Sequence, residues 1–277
     1  MTKETAYPST ISYGCVDQKT AVLANATFDG NAETAPKPGD PVPPLWHWFA
    51  FPPDARTEDL DTDGHPVYRD FALPAGLKRR MWASGQLNFL NPLKIGETIT
   101  KSSKIMDISE KSSRAGDMVF VTYHHSISGQ AGLAIEEKQN IVYLAMPKSY
   151  TPPKIKNLPE DSKKIANLKI SPALLFRYSA LTFNAHRIHY DLDYVKQSEK
   201  YPHLVIHGPL QATLLMNAAV KVKGTPPSRF DFRGVHPAFA HEPLDIVLAE
   251  TPTGCDLFTA SNHHQCLQAQ ASWETKA

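Results

Sequence analysis

The order of apolar and polar residues predicts β-strands in both halves of the chain. Over residues 79–146 apolar and polar side chains alternate with period two, and two polar clusters that contain glycine interrupt the alternation. This spacing predicts an antiparallel meander. Strand-like runs return near the end of the chain, at residues 229–235, 244–250, 256–262 and 265–273. The sequence therefore predicts two sheet units.

One segment has a strongly helical pattern. Residues 209–220 are mostly apolar and contain no charged side chain, which predicts a helix that is buried on nearly all sides. It opens with Gly208-Pro209, and proline is favoured in the first turn of a helix. The stretch before Arg79 is too rich in glycine, proline and aspartate to form a matching helix in the first unit. We expect the space left there to hold a ligand.

A linker is predicted between the two units. Residues 147–170 contain four prolines and six lysines, a composition typical of exposed linkers. We therefore divide the chain into an N-terminal domain, residues 1–150, and a C-terminal domain, residues 151–277. The proline-rich residues 30–76 are predicted to be extended, with their tryptophans folding this arm onto the body of the protein.

Composition narrows the classes of partner. The 277 residues include 29 Lys and Arg against 28 Asp and Glu, so we expect neither a nucleic acid nor an anionic membrane as partner. Three widely spaced cysteines indicate a reducing compartment and argue against a cysteine-based zinc site. No apolar run reaches the roughly 18 residues of a spanning helix. The first residues show no targeting pattern, so a cytoplasmic location is expected.

Side chains suited to chemistry are concentrated in residues 176–191. This segment contains Asn184, His186, Arg187, His189 and Asp191. Val205-Ile-His-Gly-Pro-Leu210, at the head of the predicted helix, begins sixteen residues after His189. A helix N-terminus offers free N–H groups and positive potential.

These groups together fit a hydration reaction. The imidazole of His189 can take a proton from water, the amide of Asn184 can position that water, and an N–H at Gly208 can hold a developing enolate oxygen. Two other interpretations stay open: His189 as a core histidine, and His186 with His189 as metal ligands. Zinc needs three or four ligands, and Asp191 is the nearby third. We therefore predict no metal.

Arg79 and Arg80 are candidates for substrate recognition. Neighbours on a strand point to opposite faces, so only one of the two can point inward. A buried arginine needs an anionic partner. That partner is either a carboxylate of the protein or the distal carboxylate of a substrate, which guanidinium binds bidentately.

The motif region resembles a known family. Residues Phe183-Asn-Ala-His-Arg-Ile-His-Tyr-Asp191 look like a variant of the Gly-Asp-x-Asn-Pro-Leu-His-x-Asp motif of MaoC-like hot-dog hydratases. The longer stretch 180–191, together with residues 207–215 and 77–83, is more similar still to type 2 hydroxyacyl-thioester dehydratases and to mesaconyl- and methylfumaryl-CoA hydratases. The resemblance implies an α+β fold, a double hot-dog whose C-terminal sheet wraps the long buried helix.

The resemblance also implies roles for individual residues. The general-base aspartate of the family falls on Asn184, its water-binding histidine on His189 and its oxyanion-hole glycine on Gly208. An amide cannot accept a proton, so His189 is expected to take more of the base role, with His186 or Asp191 assisting. The residues expected to bind substrate are Arg79, Arg80, Arg187 and His207.

The predicted function is that of a hydro-lyase that acts on an acyl-CoA. We expect a short branched dicarboxylyl-CoA of the itaconyl-, mesaconyl- or methylfumaryl-CoA type. One alternative is an (R)-3-hydroxyacyl-thioester dehydratase of mitochondrial fatty-acid synthesis, with a mitochondrial location. The other is a non-catalytic acyl-thioester-binding protein, which Asn184 in place of aspartate would explain. No cofactor is expected, and a homodimer is an open alternative to the monomer.

Overall fold

One ten-stranded antiparallel sheet forms the body of the protein. The computed structural model describes residues 7–67, 71–113 and 116–273. Its strands are β1 (Thr10–Gly14), β2 (Arg79–Phe89), β3 (Ile99–Ser113), β4 (Gly116–Gly129), β5 (Gly132–Leu144), β6 (Lys163–Lys169), β7 (Arg229–Gly234), β8 (Pro243–Thr251), β9 (Gly254–Ser261) and β10 (His264–Ser272). Their order across the sheet is β1-β3-β4-β5-β2-β7-β10-β9-β8-β6.

Strands from the two halves of the chain meet in the middle of this sheet. β2 pairs antiparallel with β7, from Ser84 opposite Arg233 to Asn88 opposite Arg229. The five strands from β1 to β2 in this order all precede residue 145, and the five from β7 to β6 all follow residue 162. The predicted meander corresponds to β2–β5 and the four later runs to β7–β10, so both predictions are confirmed.

Four α-helices accompany the sheet in the described residues. They are α1 (Gln18–Thr27), α2 (Pro172–Thr182), α3 (Leu192–Gln197) and α4 (Gly208–Lys223). The predicted buried helix is confirmed as α4, which packs against β7, β8, β9 and β10. Leu210, Leu215 and Met216 are completely buried, and Gly224 in the left-handed conformation (φ 77°) ends the helix.

Several helices and strands were not predicted from the sequence pattern. The residues predicted to be a linker include β6, which pairs with β8 at the edge of the sheet. Most side chains of β6 are exposed, and lysines are typical of edge strands because they discourage pairing with another chain. β1, α1, α2 and α3 were also not predicted. α2 begins with Ser171 as N-cap, whose side chain accepts from the Leu174 N–H.

The proline-rich arm of the N-terminal half packs against the body of the protein. A short 3₁₀ turn, Trp46–Phe49, carries two aromatic rings into the core. Next to them, Nε2 of His47 lies 3.2 Å from Glu137, and Nε1 of Trp48 donates to the same carboxylate at 3.0 Å. Burial opposes ionisation of Glu137, but its interactions with His47, His125 and Gln139 together outweigh burial and lower the pKa of Glu137 to about 2. The expected folding of the arm onto the body is confirmed.

The part of the chain that the structure describes contains no helix long and apolar enough to cross a membrane.

Candidate active site

His189 is held as a neutral imidazole with one nitrogen free. It ends a 3₁₀ turn, Arg187–His189, and is 7% exposed. Its Nδ1 lies 2.8 Å from the carbonyl oxygen of Val205, and the Val205 N–H donates to the Ile188 carbonyl at 2.9 Å. A carbonyl only accepts, so Nδ1 carries the proton and Nε2 keeps its lone pair. His189 therefore has the tautomer that a base requires.

The ring of His189 lies beside the start of α4. The His207 ring stacks on it with centroids 3.5 Å apart and planes 18° from parallel. His207 precedes Gly208 directly, and its Nε2 lies 2.8 Å from Oγ of Ser179. The structure thus brings the predicted imidazole to the predicted helix end, with His207 as a packing partner of His189.

Space is open at the first residue of α4. A Cβ added to Gly208 would meet only the carbonyl oxygen of Trp82, at 4.0 Å. Pro209 has no N–H, and the N–H groups of Gly208 and Leu210 have no backbone acceptor among the described residues. These two N–H groups are the donors that the helix offers to a ligand oxygen.

Burial keeps the histidines of this cluster uncharged. Burial, followed by the proximity of His207 and His186, holds the pKa of His189 well below its usual value. Burial also lowers the pKa of His207 to about 3. At neutral pH both rings are therefore neutral, and His189 is ready to accept a proton.

We expect the thermal midpoint of unfolding to fall as the pH is lowered from about 6.5 to about 4. Unfolded histidines protonate near pH 6.5, whereas His207 in the folded protein protonates only near 3. The unfolded chain binds more protons in this window, so acid favours unfolding. Calorimetric scans across the window test this, and His207→Gln should make the dependence shallower. A wild-type midpoint that does not change with pH would contradict it.

The side chain of Asn184 has one oxygen that is engaged and an NH₂ group that is free among the described residues, and it cannot act as a base. Its Oδ1 accepts the backbone N–H of His186 at 3.0 Å. Its NH₂ group has no protein partner in the described part of the chain, so it can still donate to a water molecule. An amide nitrogen has no basic lone pair. The proton-accepting role of a carboxylate is therefore missing at residue 184.

Arg187 and Asp191 pair with each other. Nε and Nη2 of Arg187 bind Oδ2 of Asp191 at 3.0 and 2.7 Å, and Nη1 binds the Thr62 carbonyl at 2.9 Å. Oδ1 of Asp191 accepts the Tyr194 N–H at the start of α3. Asp191 is thus not the group that orients His189, which is held by the Val205 carbonyl instead. Arg187, expected to bind substrate, ties the motif segment to the N-terminal half.

The two neighbouring arginines have different environments. Nε of Arg79 lies 2.6 Å from Glu199, whose side chain is 1% exposed, so a protein carboxylate is its partner. Arg80 is half-buried and takes part in none of the ion pairs among the described residues. Its charge contributes to the low pKa of His65. Of the two, Arg80 is the one with a guanidinium available to a ligand.

Asp63 and His65 reach this site from the N-terminal half, and the pattern analysis missed them. The Arg187 N–H donates to the Asp63 carbonyl at 2.9 Å. Between the two residues, Gly64 has φ +91°, and a Cβ there would lie 1.9 Å from the Ala185 carbonyl oxygen. Only glycine allows this contact. The one signal in the sequence was a tight-turn dipeptide, Asp63-Gly64, next to a histidine.

Asp63, His65 and His186 are the residues with the composition of a cation site. Their donor atoms lie within 4.8 Å of one another. Both carboxylate oxygens of Asp63 already bind His65, one its backbone N–H at 2.8 Å and the other Nδ1 at 2.9 Å. The contacts are those of a hydrogen-bonded carboxylate–histidine pair.

Comparison with solved structures identifies the fold. A MaoC-like dehydratase from Phytophthora capsici matches with a TM-score of 0.70 at 15% identity, covering 98% of this chain and 97% of that chain. A Mycobacterium tuberculosis protein described as having a double hot-dog fold gives a TM-score of 0.59 at 12% identity, covering 95% of each chain. The predicted α+β double hot-dog fold is confirmed.

Comparison of sequences identifies the family. The family profile of hydroxyacyl-thioester dehydratase type 2 matches residues 45–240. Mesaconyl-C(4)-CoA hydratase of Chloroflexus aurantiacus is 41% identical over 238 residues, 86% of this chain and 85% of that protein. The mitochondrial hydroxyacyl-thioester dehydratase type 2 of Schizosaccharomyces pombe is 32% identical over 239 residues, covering 75% and 78%. The chain belongs to the hydroxyacyl-thioester dehydratase type 2 family of MaoC-like proteins and is a hydro-lyase of acyl-CoA thioesters.

Proposed function

We propose that this protein adds water to the double bond of a short branched dicarboxylyl-CoA of the mesaconyl-, itaconyl- or methylfumaryl-CoA type, or removes it in the reverse direction. The observation that carries the chemistry is the free Nε2 of His189 beside the open N–H groups at the start of α4. The 41% identity to a mesaconyl-C(4)-CoA hydratase supports the substrate class.

The geometry suits addition of water next to a thioester. Nε2 of His189 accepts a hydrogen bond from the water that attacks the β-carbon, and the NH₂ group of Asn184 donates a hydrogen bond to that water. Negative charge develops on the thioester oxygen, where the N–H groups of Gly208 and Leu210 can stabilise it. The thioester itself acidifies the α-carbon, so we propose no metal or redox cofactor.

Arg80 supports a dicarboxylate substrate. A half-buried guanidinium without a protein carboxylate is favourable only when an anion or water solvates it. The distal carboxylate of a mesaconyl-type acyl group would supply that anion, with two parallel hydrogen bonds. We propose that the N-terminal half, which carries Arg80, accommodates the acyl group.

A substrate panel tests the proposed function. The purified protein is incubated with mesaconyl-C4-, itaconyl-, methylfumaryl-, crotonyl- and longer enoyl-CoA esters, and mass spectrometry detects the gain of one water. We expect the highest kcat/KM for a dicarboxylyl ester. Turnover confined to monocarboxylyl esters would remove the dicarboxylate assignment, and no turnover on any ester would contradict hydration.

A dehydratase of fatty-acid synthesis is the second candidate function. The 32% identity to a mitochondrial hydroxyacyl-thioester dehydratase favours it. It predicts that (R)-3-hydroxyacyl esters of increasing length are dehydrated with kcat/KM above that of every dicarboxylyl ester. A third outcome, binding of the esters without turnover, would identify a non-catalytic acyl-thioester-binding protein and would trace to Asn184.

We expect Gly208→Ala to lower kcat/KM by at least about tenfold without unfolding the protein. The added methyl group has room in the free protein, since its nearest neighbour is 4.0 Å away. It would occupy the space through which a thioester oxygen reaches the N–H groups of α4, and loss of one such donor costs about 2.7–4 kcal/mol of barrier. Kinetics and thermal melting of the variant check this; an unchanged kcat/KM would place the substrate elsewhere.

A further inference from the structure

Among the described residues, no carboxylate contacts His189 or could stabilise its protonated ring directly. Behind Nδ1 of His189 stands only the neutral Val205 carbonyl, and the neutral His207 ring lies against its face. Asn184 supplies an amide where the family motif supplies a carboxylate. An imidazolium formed on His189 would therefore be buried with no counter-charge beside it, which is unfavourable.

Asp63 and His65 form a carboxylate–histidine pair next to this site. Oδ2 of Asp63 lies 2.9 Å from Nδ1 of His65, which fixes the Nδ1–H tautomer and leaves a lone pair on Nε2. Burial favours the protonated form, but the two hydrogen bonds from His65 and the charges of His65 and His186 together outweigh it and lower the pKa of Asp63 to about 2. Asp63 is therefore an anion at neutral pH. No described residue hydrogen-bonds Nε2 of His65.

The pair is joined to His189 through His186. The His65 ring lies 4.3 Å from the His186 ring, and the His186 ring lies 5.4 Å from the His189 ring. The backbone contacts of Asp63 and Gly64 with residues 185–187 dock the two segments against each other. His65 is 13% exposed at its side chain, so its free nitrogen is not sealed off from a ligand.

We propose that His65 is a second catalytic residue of the hydration reaction, and that Asp63 is the residue that positions it and balances its charge. This inference rests on the proposed function and names the group that replaces the carboxylate absent at residue 184. It places one catalytic group on the N-terminal half and the other, His189, on the C-terminal half.

The proposed step conserves atoms and electrons. The attacking water donates a hydrogen bond to Nε2 of His189 and another to Nε2 of His65, and it transfers one proton to His65. As its oxygen bonds to the β-carbon, the electron pair of the double bond moves onto the thioester oxygen, and one O–H bond of the water breaks. The proton resides on His65 beside the Asp63 carboxylate and then passes to the α-carbon, which forms the C–H bond and restores the double bond of the thioester carbonyl.

The charged and titratable groups around His65 connect its basicity to the bound substrate. They are Asp63, Arg80, His186 and, further off, His189. Burial, and then the positive charge of Arg80, lower the pKa of His65 to about 4, against the hydrogen bond to Asp63. A substrate carboxylate bound to Arg80 would cancel that charge. His65 would then become a stronger base when a dicarboxylyl ester is bound.

Kinetics of three variants test the proposal. We expect His65→Ala to lower kcat by about 100-fold or more, the usual contribution of a general base, with KM changed far less. Asp63→Asn keeps the shape but removes the charge, and we expect it to lower kcat by at least about tenfold. The control is His124→Ala, which removes a histidine paired with a glutamate, Glu136, at 3.9 Å and outside this cluster; its kcat should match wild type.

The pH profile separates catalysis from a structural role. The neutral form of His65 is active, so wild-type kcat/KM should fall as the pH drops through about 4. Asp63 raises the pKa of His65, so Asp63→Asn should move this acid limb to lower pH, whereas His124→Ala should leave it in place. The profiles are compared only at pH values where melting shows that the variants are folded. A wild type with turnover together with an equally active, folded His65→Ala overturns the inference alone. A wild type without turnover on any ester overturns the proposed function and the inference with it.

Discussion

Replacing His189 by alanine is expected to lower kcat for hydration by about 100-fold or more. The variant loses Nε2, the acceptor for the attacking water, which the hydrogen bond from Nδ1 to Val205 keeps unprotonated. A glutamine at this position is similar in size and can still donate a hydrogen bond to Val205. His189→Gln therefore tests the loss of the Nε2 acceptor with less disturbance of the fold. We expect both variants to lose turnover while circular dichroism stays unchanged.

His125 provides a matched control for His189. It is 8% exposed, against 7% for His189, and its Nδ1 also makes a 2.8 Å hydrogen bond, to Ser103. His125→Ala should therefore have a comparable effect on stability and none on the chemical step. Turnover by His189→Ala within about tenfold of wild type, or ~1.4 kcal/mol of barrier, would show that His189 is not a catalytic residue.

Arg79→Ala should mainly lower the stability of the protein, whereas Arg80→Ala should mainly lower its activity. Arg79→Ala leaves the carboxylate of Glu199 buried without its partner, and breaking such a pair costs about 3–5 kcal/mol. We expect its thermal midpoint to fall by roughly 10 °C. Arg80→Ala should melt close to wild type but lose at least about tenfold in kcat/KM for the dicarboxylyl ester, or ~1.4 kcal/mol.

Two comparisons make the arginine prediction specific. Adding Glu199→Gln to Arg79→Ala removes the unpaired charge and should recover part of the lost stability. Crotonyl-CoA has no distal carboxylate, so its turnover should change far less in Arg80→Ala than that of the dicarboxylyl ester. Equal losses for both esters would return Arg80 to a structural role, and an unchanged melting midpoint in Arg79→Ala would mean that Glu199 finds another partner.

The parts of the fold that could be predicted are those with strong local signals. β2–β5 and β7–β10 alternate with period two between glycine-containing turns, and α4 is an uncharged apolar run behind a proline. β6 was missed because an edge strand exposes most of its side chains and so has a linker's composition. β6 is a strand because it pairs with β8, which is distant in the sequence, and the local composition of β6 does not reveal that pairing.

Half of the candidate site could be predicted because its signals are also local in the sequence. The approach of His189 to Gly208 follows from one motif segment and one helix start that lie close in sequence. The partners of Arg79 and Arg187 depend on distant parts of the chain: Arg187 binds the carbonyl of Thr62 across 125 residues. Asp63 and His65 reach the site through that same contact region, which no periodicity in the sequence reveals.

A crystal structure of the wild-type protein with its 3-hydroxyacyl-CoA product would show directly whether His189 and the start of α4 bind the same substrate. We expect the thioester oxygen to lie within about 3.1 Å of the Gly208 or Leu210 N–H and the β-hydroxyl to lie within about 3.2 Å of Nε2 of His189. A product whose carbonyl is bound away from the start of α4, or whose hydroxyl is out of reach of His189, would contradict this arrangement.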